Sequence, residues 1–146
     1  MATKKLSSRT PVPTKTELEQ LAEFRYQLRR FLRFSEDATR RNGVTMTQYL
    51  LLLQIGGYPG RDWATIRELA DRLQAQHHGV VALVSRCEAL GWVTRSPHAG
   101  DKRVIEVRLT AQGWRTLTRL AHLHRDELRS IGTNFFAPDL SASKAN

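Results

Sequence analysis

The chain has 146 residues, enough for one domain with a single core. Its 23 Lys and Arg residues outnumber its 14 acidic residues, and the net charge of +9 favours nucleic acid as a partner. A single cysteine excludes an internal disulfide. Because the sequence shows neither an apolar run of about 18 residues nor a secretory leader, we expect a cytoplasmic protein that does not enter a membrane.

The first 15 residues are predicted to form a flexible basic tail, because their Lys, Ser, Thr and Pro content leaves little to bury. Thr16 and Glu19 have the spacing of a capping box, which predicts a long helix from there to about Arg41. This helix is apolar around much of its girth, so we expect one side to face the core and the other a second subunit. Its apolar residues are Leu18, Leu21, Ala22, Leu28 and Leu32, together with Phe24, Phe31 and Phe34.

The next segment predicts a buried central helix. Thr45 and Gln48 repeat the capping-box spacing, and the run YLLLLQI at 49–55 is almost entirely apolar. A loop rich in Gly and Pro follows, after which Trp63 and Ala64 are predicted to form a short strand.

Residues 65–90 are predicted to form a helix-turn-helix. Thr65 and Glu68 cap a third helix, and a short turn at 74–76 leads into a fourth helix over 76–90. Apolar residues recur at helical spacing on one face of the fourth helix, which predicts that this face packs on the third. These residues are Val80, Leu83, Val84, Cys87 and Leu90. Cys87 is therefore interpreted as a core residue rather than an oxidant sensor.

The opposite face of the fourth helix is small and rich in donors and methyl groups, unlike the Glu and Lys surface of a merely solvated helix. It consists of His77, His78, Val81, Ala82, Ser85 and Arg86. Such side chains match the base edges of the DNA major groove. The alternative for the two histidines is a polar helix start in which one of them substitutes for an N-cap residue. Residues 61–110 carry a net charge of only +2. A basic surface in this region therefore depends on where the charged residues lie and not on an excess of them.

Residues 92–110 are predicted to form a β-hairpin with a basic tip. One strand covers 92–95, a loop with Pro97 and Gly100 covers 96–102, and the second strand covers 104–109. Alternation in the second strand predicts Ile105, Val107 and Leu109 inward, and Glu106 and Arg108 outward.

Thr110 is predicted to cap a last long helix over 111–131, and residues 133–146 form a short C-terminal segment. His122, His124 and Asp126 on this helix are not interpreted as a metal site, because residues at i and i+2 point to different faces. The sequence also has no phosphate-binding loop, paired CxxC or nucleophile motif, so we predict neither a cofactor nor an enzyme.

These elements resemble the MarR family of bacterial transcriptional regulators, which are dimeric winged-helix proteins. The resemblance is carried by IRELADRL at 66–73, by LVSRCEALGWVTR at 83–95 and by DKRVIEVRLTAQG at 101–113, which contains the D-x-R wing motif as Asp101 and Arg103. It implies a mostly α fold over residues 16–132, with a small β-hairpin wing and with dimerisation helices at 16–41 and 111–131.

The resemblance further implies a homodimer on double-stranded DNA, acting as a repressor at a pseudo-palindromic operator with half-sites about 34–36 Å apart. By position, the outer face of the fourth helix contacts DNA together with Arg95, Lys102 and Arg103, and Asp101 orients Arg103. The sequence leaves two alternatives open: a winged-helix module that binds protein, and a nucleic-acid binder without sequence preference that acts through its basic tail.

The resemblance also implies a small aromatic or phenolic effector between the first, second and last helices. The candidate lining residues are Phe24, Phe31, Phe34, Tyr49 and Trp114, with Arg25 or Arg29 available for a carboxylate. Relatives commonly end with a further helix that clasps the dimer, whereas here Pro138 interrupts the remaining residues. Dimerisation is therefore expected to rest on the two long helices and on Phe135 and Phe136.

Overall fold

The structure is a computed structural model that describes residues 11–132, 137, 138 and 140. Most of the predicted basic tail, together with Phe135 and Phe136, lies outside the described residues. Within the described part of the chain, no helix has the length and apolar character needed to cross a membrane.

The first helix, α1, covers Lys15–Arg41. Its capping box is formed by Thr14, whose hydroxyl accepts a hydrogen bond from the Glu17 amide at 3.2 Å, while the Glu17 carboxylate accepts one from the Thr14 amide at 2.7 Å. The predicted box of Thr16 and Glu19 is therefore wrong. Two overlapping Thr-x-x-Glu patterns stand in this stretch, and the one nearer the N-terminus is used because it lets the helix begin earlier.

The second helix, α2, covers Met46–Gly56 and is the centre of the core. The predicted capping box of Thr45 and Gln48 is confirmed, with the Gln48 side chain accepting from the Thr45 amide at 2.9 Å. The apolar run of the sequence is buried as predicted, and Leu51, Leu52 and Ile55 have no exposed surface.

The predicted helix-turn-helix is confirmed as a structural unit. Strand β1, Trp63–Thr65, leads directly into helix α3, Ile66–Leu73, which Thr65 caps. The turn takes its direction from Gln74, the one non-glycine residue with a positive φ (50°) in the described chain. Helix α4 then covers His77–Ala89 and packs on α3.

The predicted hairpin is also present and gains a third strand. Strand β2, Val93–Pro97, pairs antiparallel with β3, Ile105–Leu109, and β3 pairs on its other edge with β1. Val107 stands opposite Arg95 on one side and Ala64 on the other. We call the hairpin 93–109 the wing. Because β1 immediately precedes α3, this sheet ties the wing to the helix-turn-helix.

The outward orientation predicted for Glu106 is wrong. Its side chain is only 8% exposed, while Val107, predicted to face inward, is fully buried as expected. Strand β3 is the central strand of the sheet, so both of its edges are paired, and the burial of Glu106 and Val107 shows that both of its faces are covered here. On the second face, His98 and Arg108 hydrogen-bond the Glu106 carboxylate and supply the partners that a buried charge requires.

The last helix, α5, covers Ala111–Ile131 and packs on α1 and α2. The predicted cap, Thr110, accepts a hydrogen bond from the Gly113 amide at 3.0 Å and donates one to the Gly91 carbonyl at 2.6 Å. Gly113 is required by packing, because a Cβ there would lie 2.0 Å from the Trp92 carbonyl oxygen. The helix therefore begins in close contact with the base of the wing.

Candidate nucleic-acid interface

Helix α4 is held in the domain by its apolar face. Val80, Leu83 and Val84 are buried in the main core, as predicted. Leu90, predicted to belong to the same stripe, is instead 46% exposed. It is the C-cap residue, and the chain turns away from the core at Gly91, which has a positive φ of 78°.

Cys87 is part of the same buried face. It has no exposed surface, and burial raises the pKa of its thiol to about 11. Because the thiolate is the reactive form of cysteine, a thiol held protonated at neutral pH is a poor oxidant sensor. The structure thus supports the interpretation of Cys87 as a core residue.

The opposite face of α4 points away from the protein and brings together the six side chains predicted to read DNA. His77, His78, Ala82 and Arg86 are exposed, and Val81 and Ser85 are half-buried. Among the described residues, Arg86 has no ion-pair partner. The face therefore presents donors and methyl groups that the domain itself does not use.

The alternative role of the histidines as an N-cap is not supported by the structure. Gln76 is the N-cap residue of α4, and it makes no side-chain hydrogen bond to the helix. His77 and His78 already belong to the first turn. Their imidazoles are consequently available for contacts outside the domain.

The tip of the wing carries an ordered arginine. Arg103 donates from Nε and Nη2 to the two carboxylate oxygens of Asp101, each at 3.1 Å, and its backbone amide also bonds Asp101 at 3.1 Å. These hydrogen bonds hold the pKa of Asp101 below its usual range. The pair is bidentate, which sets the plane of the guanidinium and leaves its outer edge free for another acceptor.

Arg95 has a partner inside the domain. Its Nη2 donates to Glu88 of α4 at 3.0 Å, and its Nε lies 3.4 Å from the other carboxylate oxygen. The hydrogen bonds hold the pKa of Glu88 below its usual range. Arg95 thus joins the start of the wing to the end of α4, and its predicted contact with DNA competes with this pair.

A model of the MarR family matches residues 42–104, the stretch from the end of α1 through the helix-turn-helix into the wing. This stretch is similar to the MarR family, and the match covers less than half of the chain. A curated relative, the HTH-type transcriptional regulator PecS of Dickeya dadantii (strain 3937), is 26% identical over 68 residues. The aligned part covers 47% of this chain and 41% of PecS, so the match spans less than half of that relative.

Solved structures extend the likeness to most of the chain. AbsC, a MarR family transcriptional regulator from Streptomyces coelicolor, has a TM-score of 0.70 at 23% identity, over 88% of this chain and 86% of AbsC. Sco3205, another from the same organism and solved in complex with DNA, has a TM-score of 0.69 at 24% identity, over 90% of this chain and 82% of Sco3205. At these identities the likeness establishes the fold, which is the predicted winged helix with long flanking helices.

Four of the five aromatic residues predicted to line an effector pocket are divided between two places in the fold. Phe31, Phe34 and Tyr49 surround the ring of His124, with Tyr49 stacked on it at 4.4 Å between centroids. Trp114 instead packs near Gly56, at the other end of α2. The imidazole of His124 therefore fills the space between three of the predicted lining residues.

Both ring nitrogens of His124 have hydrogen-bond partners. Its Nε2 lies 2.5 Å from Ser35 Oγ, and its Nδ1 lies 2.7 Å from the Leu120 carbonyl oxygen. Since a carbonyl only accepts, Nδ1 carries a proton and donates to it. The predicted carboxylate partners, Arg25 and Arg29, line a separate open groove of about 630 Å³ along α1.

Sequence reasoning missed one group of side chains beside the interface. Arg61 lies over Trp63 at 3.8 Å from the ring centroid, and His98 of the wing lies 5.3 Å away on the same indole. The available signal was the i, i+2 spacing of Arg61 and Trp63, which places both on one side of an extended segment. Nothing in the sequence indicated that His98, 35 positions after Trp63, returns to this ring.

Proposed function

We propose that this chain is a sequence-specific DNA-binding transcriptional regulator that places α4 in the major groove and the wing in a neighbouring minor groove. The observation that carries the proposal is the outer face of α4, which presents donors and methyl groups without internal partners, together with the exposed Lys102 and Arg103 at the tip of the wing. The regulator PecS and the DNA complex of Sco3205 support it. Because MarR-family members are transcription factors, the chain is not an enzyme.

The chemistry of the face fits base recognition. Arg86 can form a bidentate pair with the O6 and N7 acceptors of guanine, and the imidazoles of His77 and His78 can donate to the same atoms. Val81 and Ala82 offer methyl groups that match the C5-methyl of thymine. Lys102 and Arg103 at the wing tip suit the negative potential of a narrow minor groove.

We further propose that the regulator is a homodimer. Leu18, Leu32 and Tyr26 of α1 are each about half exposed, at 51%, 49% and 57%, and Leu123 and Leu128 of α5 are also exposed. A subunit interface gives these apolar side chains a partner surface. Two-fold symmetry then places the half-sites of a pseudo-palindromic operator one DNA turn apart, about 34–36 Å.

Selection of bound fragments from random double-stranded DNA tests the proposal. We expect an enriched pseudo-palindrome with the spacing of one helical turn, bound at least ~10³-fold more tightly than random DNA at physiological salt. Enrichment without a motif indicates binding through phosphates alone. A failure to retain any DNA contradicts the proposal and favours the protein-binding module.

Light scattering on the purified protein at micromolar concentration tests the dimer separately. We expect twice the chain mass of 16.7 kDa. A stable monomer that still binds DNA removes the two-fold operator and leaves the groove contacts of α4 in place.

We propose that the protein acts as a repressor on the bacterial chromosome in the cytoplasm, and that a small aromatic or phenolic acid releases it from DNA. Such a ligand changes the equilibrium only if it binds the non-binding dimer more tightly than the DNA-binding one. Titration of the protein–operator complex with benzoate and related phenolic acids tests this. Retention of the complex at millimolar concentrations of each acid contradicts an effector of this class.

A further inference from the structure

Trp63 lies where the wing meets the helix-turn-helix. Its indole contacts Arg61, which lies two residues earlier in the chain, with the guanidinium carbon 3.8 Å from the ring centroid. The ring of His98, at the root of the wing loop, lies 5.3 Å from the indole with a tilt of 36°, and the Arg108 guanidinium is 5.8 Å away. One aromatic ring therefore joins the segment before α3 to the wing loop and to β3.

A chain of hydrogen bonds runs alongside these ring contacts. His98 Nδ1 lies 2.5 Å from one oxygen of the nearly buried Glu106 carboxylate, whose other oxygen accepts from Arg108 Nε and Nη2 at 3.0 and 2.8 Å. Arg108 Nη1 donates to Asp62 at 2.8 Å. The chain thus ends in the residue that precedes Trp63, and it closes a loop around the same indole.

The protonation states of this network follow from its geometry. Hydrogen bonds from His98 and Arg108 hold the pKa of Glu106 below its usual range, so the carboxylate is ionised and only accepts. His98 must therefore donate from Nδ1. Its backbone amide also donates to Val104 across the wing loop at 2.8 Å, so the imidazole and the loop are held together.

The contacts of His98 with Trp63 and Glu106 restrain the wing loop in a way that the strand pairing alone does not. The ladder between β2 and β3 fixes the register of the hairpin. It does not fix the direction in which the loop beyond Pro97 leaves the sheet. His98 is the first residue of that loop, and its contacts with Trp63 and Glu106 are made on the side of β1 and β3.

We propose that Trp63, His98 and Glu106 form a joint, here called the wing joint, that sets the position of the wing tip relative to α4. They are positioning residues, because they act on DNA through Lys102 and Arg103 and do not lie on the outer face of α4. This inference rests on the proposed function, since the wing tip matters for affinity only if the protein binds DNA.

A double-mutant cycle on the full chain tests the wing joint. The affinity for a selected operator is measured for the natural protein, for Trp63→Ala, for the tip variant Lys102→Ala with Arg103→Ala, and for the combination. We expect Trp63→Ala to weaken binding about tenfold in the natural protein but less than about twofold in the tip variant, because coupled residues lose their effects together. His98→Ala, at the partly exposed end of the joint, should behave in the same way without disturbing the core.

Two variants serve as controls. Trp63→Phe keeps a ring against His98 and should restore most of the affinity lost in Trp63→Ala. Tyr58→Leu removes the other aromatic partner of Arg61, 4.3 Å away, but does not touch the wing, and should leave affinity within about twofold. Equal losses from Trp63→Ala in both backgrounds overturn the proposal and assign Trp63 to the general stability of the fold.

Trypsin provides a readout that does not depend on DNA. Lys102 and Arg103 are cleavage sites at the wing tip, and a loosened joint should speed cleavage there in the free protein while other sites keep their rates. If the natural protein retains no DNA, the proposed function fails, but faster tip cleavage in His98→Ala still supports the joint. Unchanged cleavage in both His98→Ala and Trp63→Ala overturns it.

Discussion

Helix α4 and the wing reach the same proposed ligand but are held to the protein in different ways. Helix α4 is fixed by buried apolar side chains such as Val80 and Val84, whereas the wing adds ion pairs to its strand pairing and to the buried Val107, among them Arg95 with Glu88 and Arg108 with Glu106. Exposed ion pairs are screened and weaken as salt rises, whereas apolar burial is not weakened by screening. We therefore expect salt to affect the position of the wing more than that of α4.

The largest expected effect concerns the packing of α4, which the reactivity of Cys87 tests. With a pKa of about 11, its thiolate fraction at pH 8 is on the order of 10⁻³, against about 0.2 for an ordinary thiol. We expect a thiol reagent to modify the folded protein at least ~100-fold more slowly than the unfolded protein. Since the pKa is raised, the rate should keep increasing with pH up to about 11. Rapid modification at pH 8 would show that α4 is not firmly packed.

The next largest effect is expected from Arg86→Ala on the outer face of α4. Loss of a bidentate contact with guanine costs about 1–3 kcal/mol, a factor of roughly 5 to 150 in operator affinity. Binding to random DNA should change much less, because that binding depends on phosphates. Arg119→Ala, an exposed arginine of α5, is the matched control for the loss of one positive charge. Equal losses on operator and random DNA would assign Arg86 to a phosphate.

The contrast between apolar packing in α4 and ion pairs in the wing also explains which features the sequence predicted. Helix starts and the buried face of α4 follow from local spacing, so Thr45, Thr65 and Thr110 were identified correctly as caps. Thr14 was missed because an equally good pattern stands two residues later. The burial of Glu106 was missed because alternation assigns charged residues to the exposed face, whereas the loop at His98 folds back and, together with Arg108, supplies partners for the carboxylate. Contacts made by charged side chains across the chain leave no periodic signal.

On the side of the wing, Lys102→Ala should weaken binding to all sequences by a few-fold and lower the salt slope by about one. Lys102 is exposed and, within the described residues, has no ion pair, so its charge is available to the nucleic acid. Lys15→Ala is the matched control, because that lysine is exposed on α1 and lies 3.4 Å from Glu19. Operator affinity that falls while random binding stays constant would instead make Lys102 a reader of sequence.

The smallest expected effect compares one glycine in each region. A Cβ at Gly79 on α4 would meet nothing within 4 Å, whereas a Cβ at Gly100 in the wing would lie 3.2 Å from His98 Nε2. Because glycine within a helix costs about 0.5–1 kcal/mol relative to alanine, Gly79→Ala should raise the free energy of unfolding by that amount. Gly100→Ala should give no such gain, since His98 is held by Glu106 and Trp63 and cannot move aside without cost.

Chemical unfolding of the two variants, together with operator binding, measures this difference. If DNA approaches the first turn of α4 closely, Gly79→Ala will be more stable and yet bind the operator less tightly. A gain in stability together with a loss of affinity would show that DNA binding, and not folding, requires glycine at this position. The domain itself leaves space for the added methyl group. If Gly79→Ala gains stability without losing affinity, the major groove leaves room at this turn, and base contacts must begin further along α4.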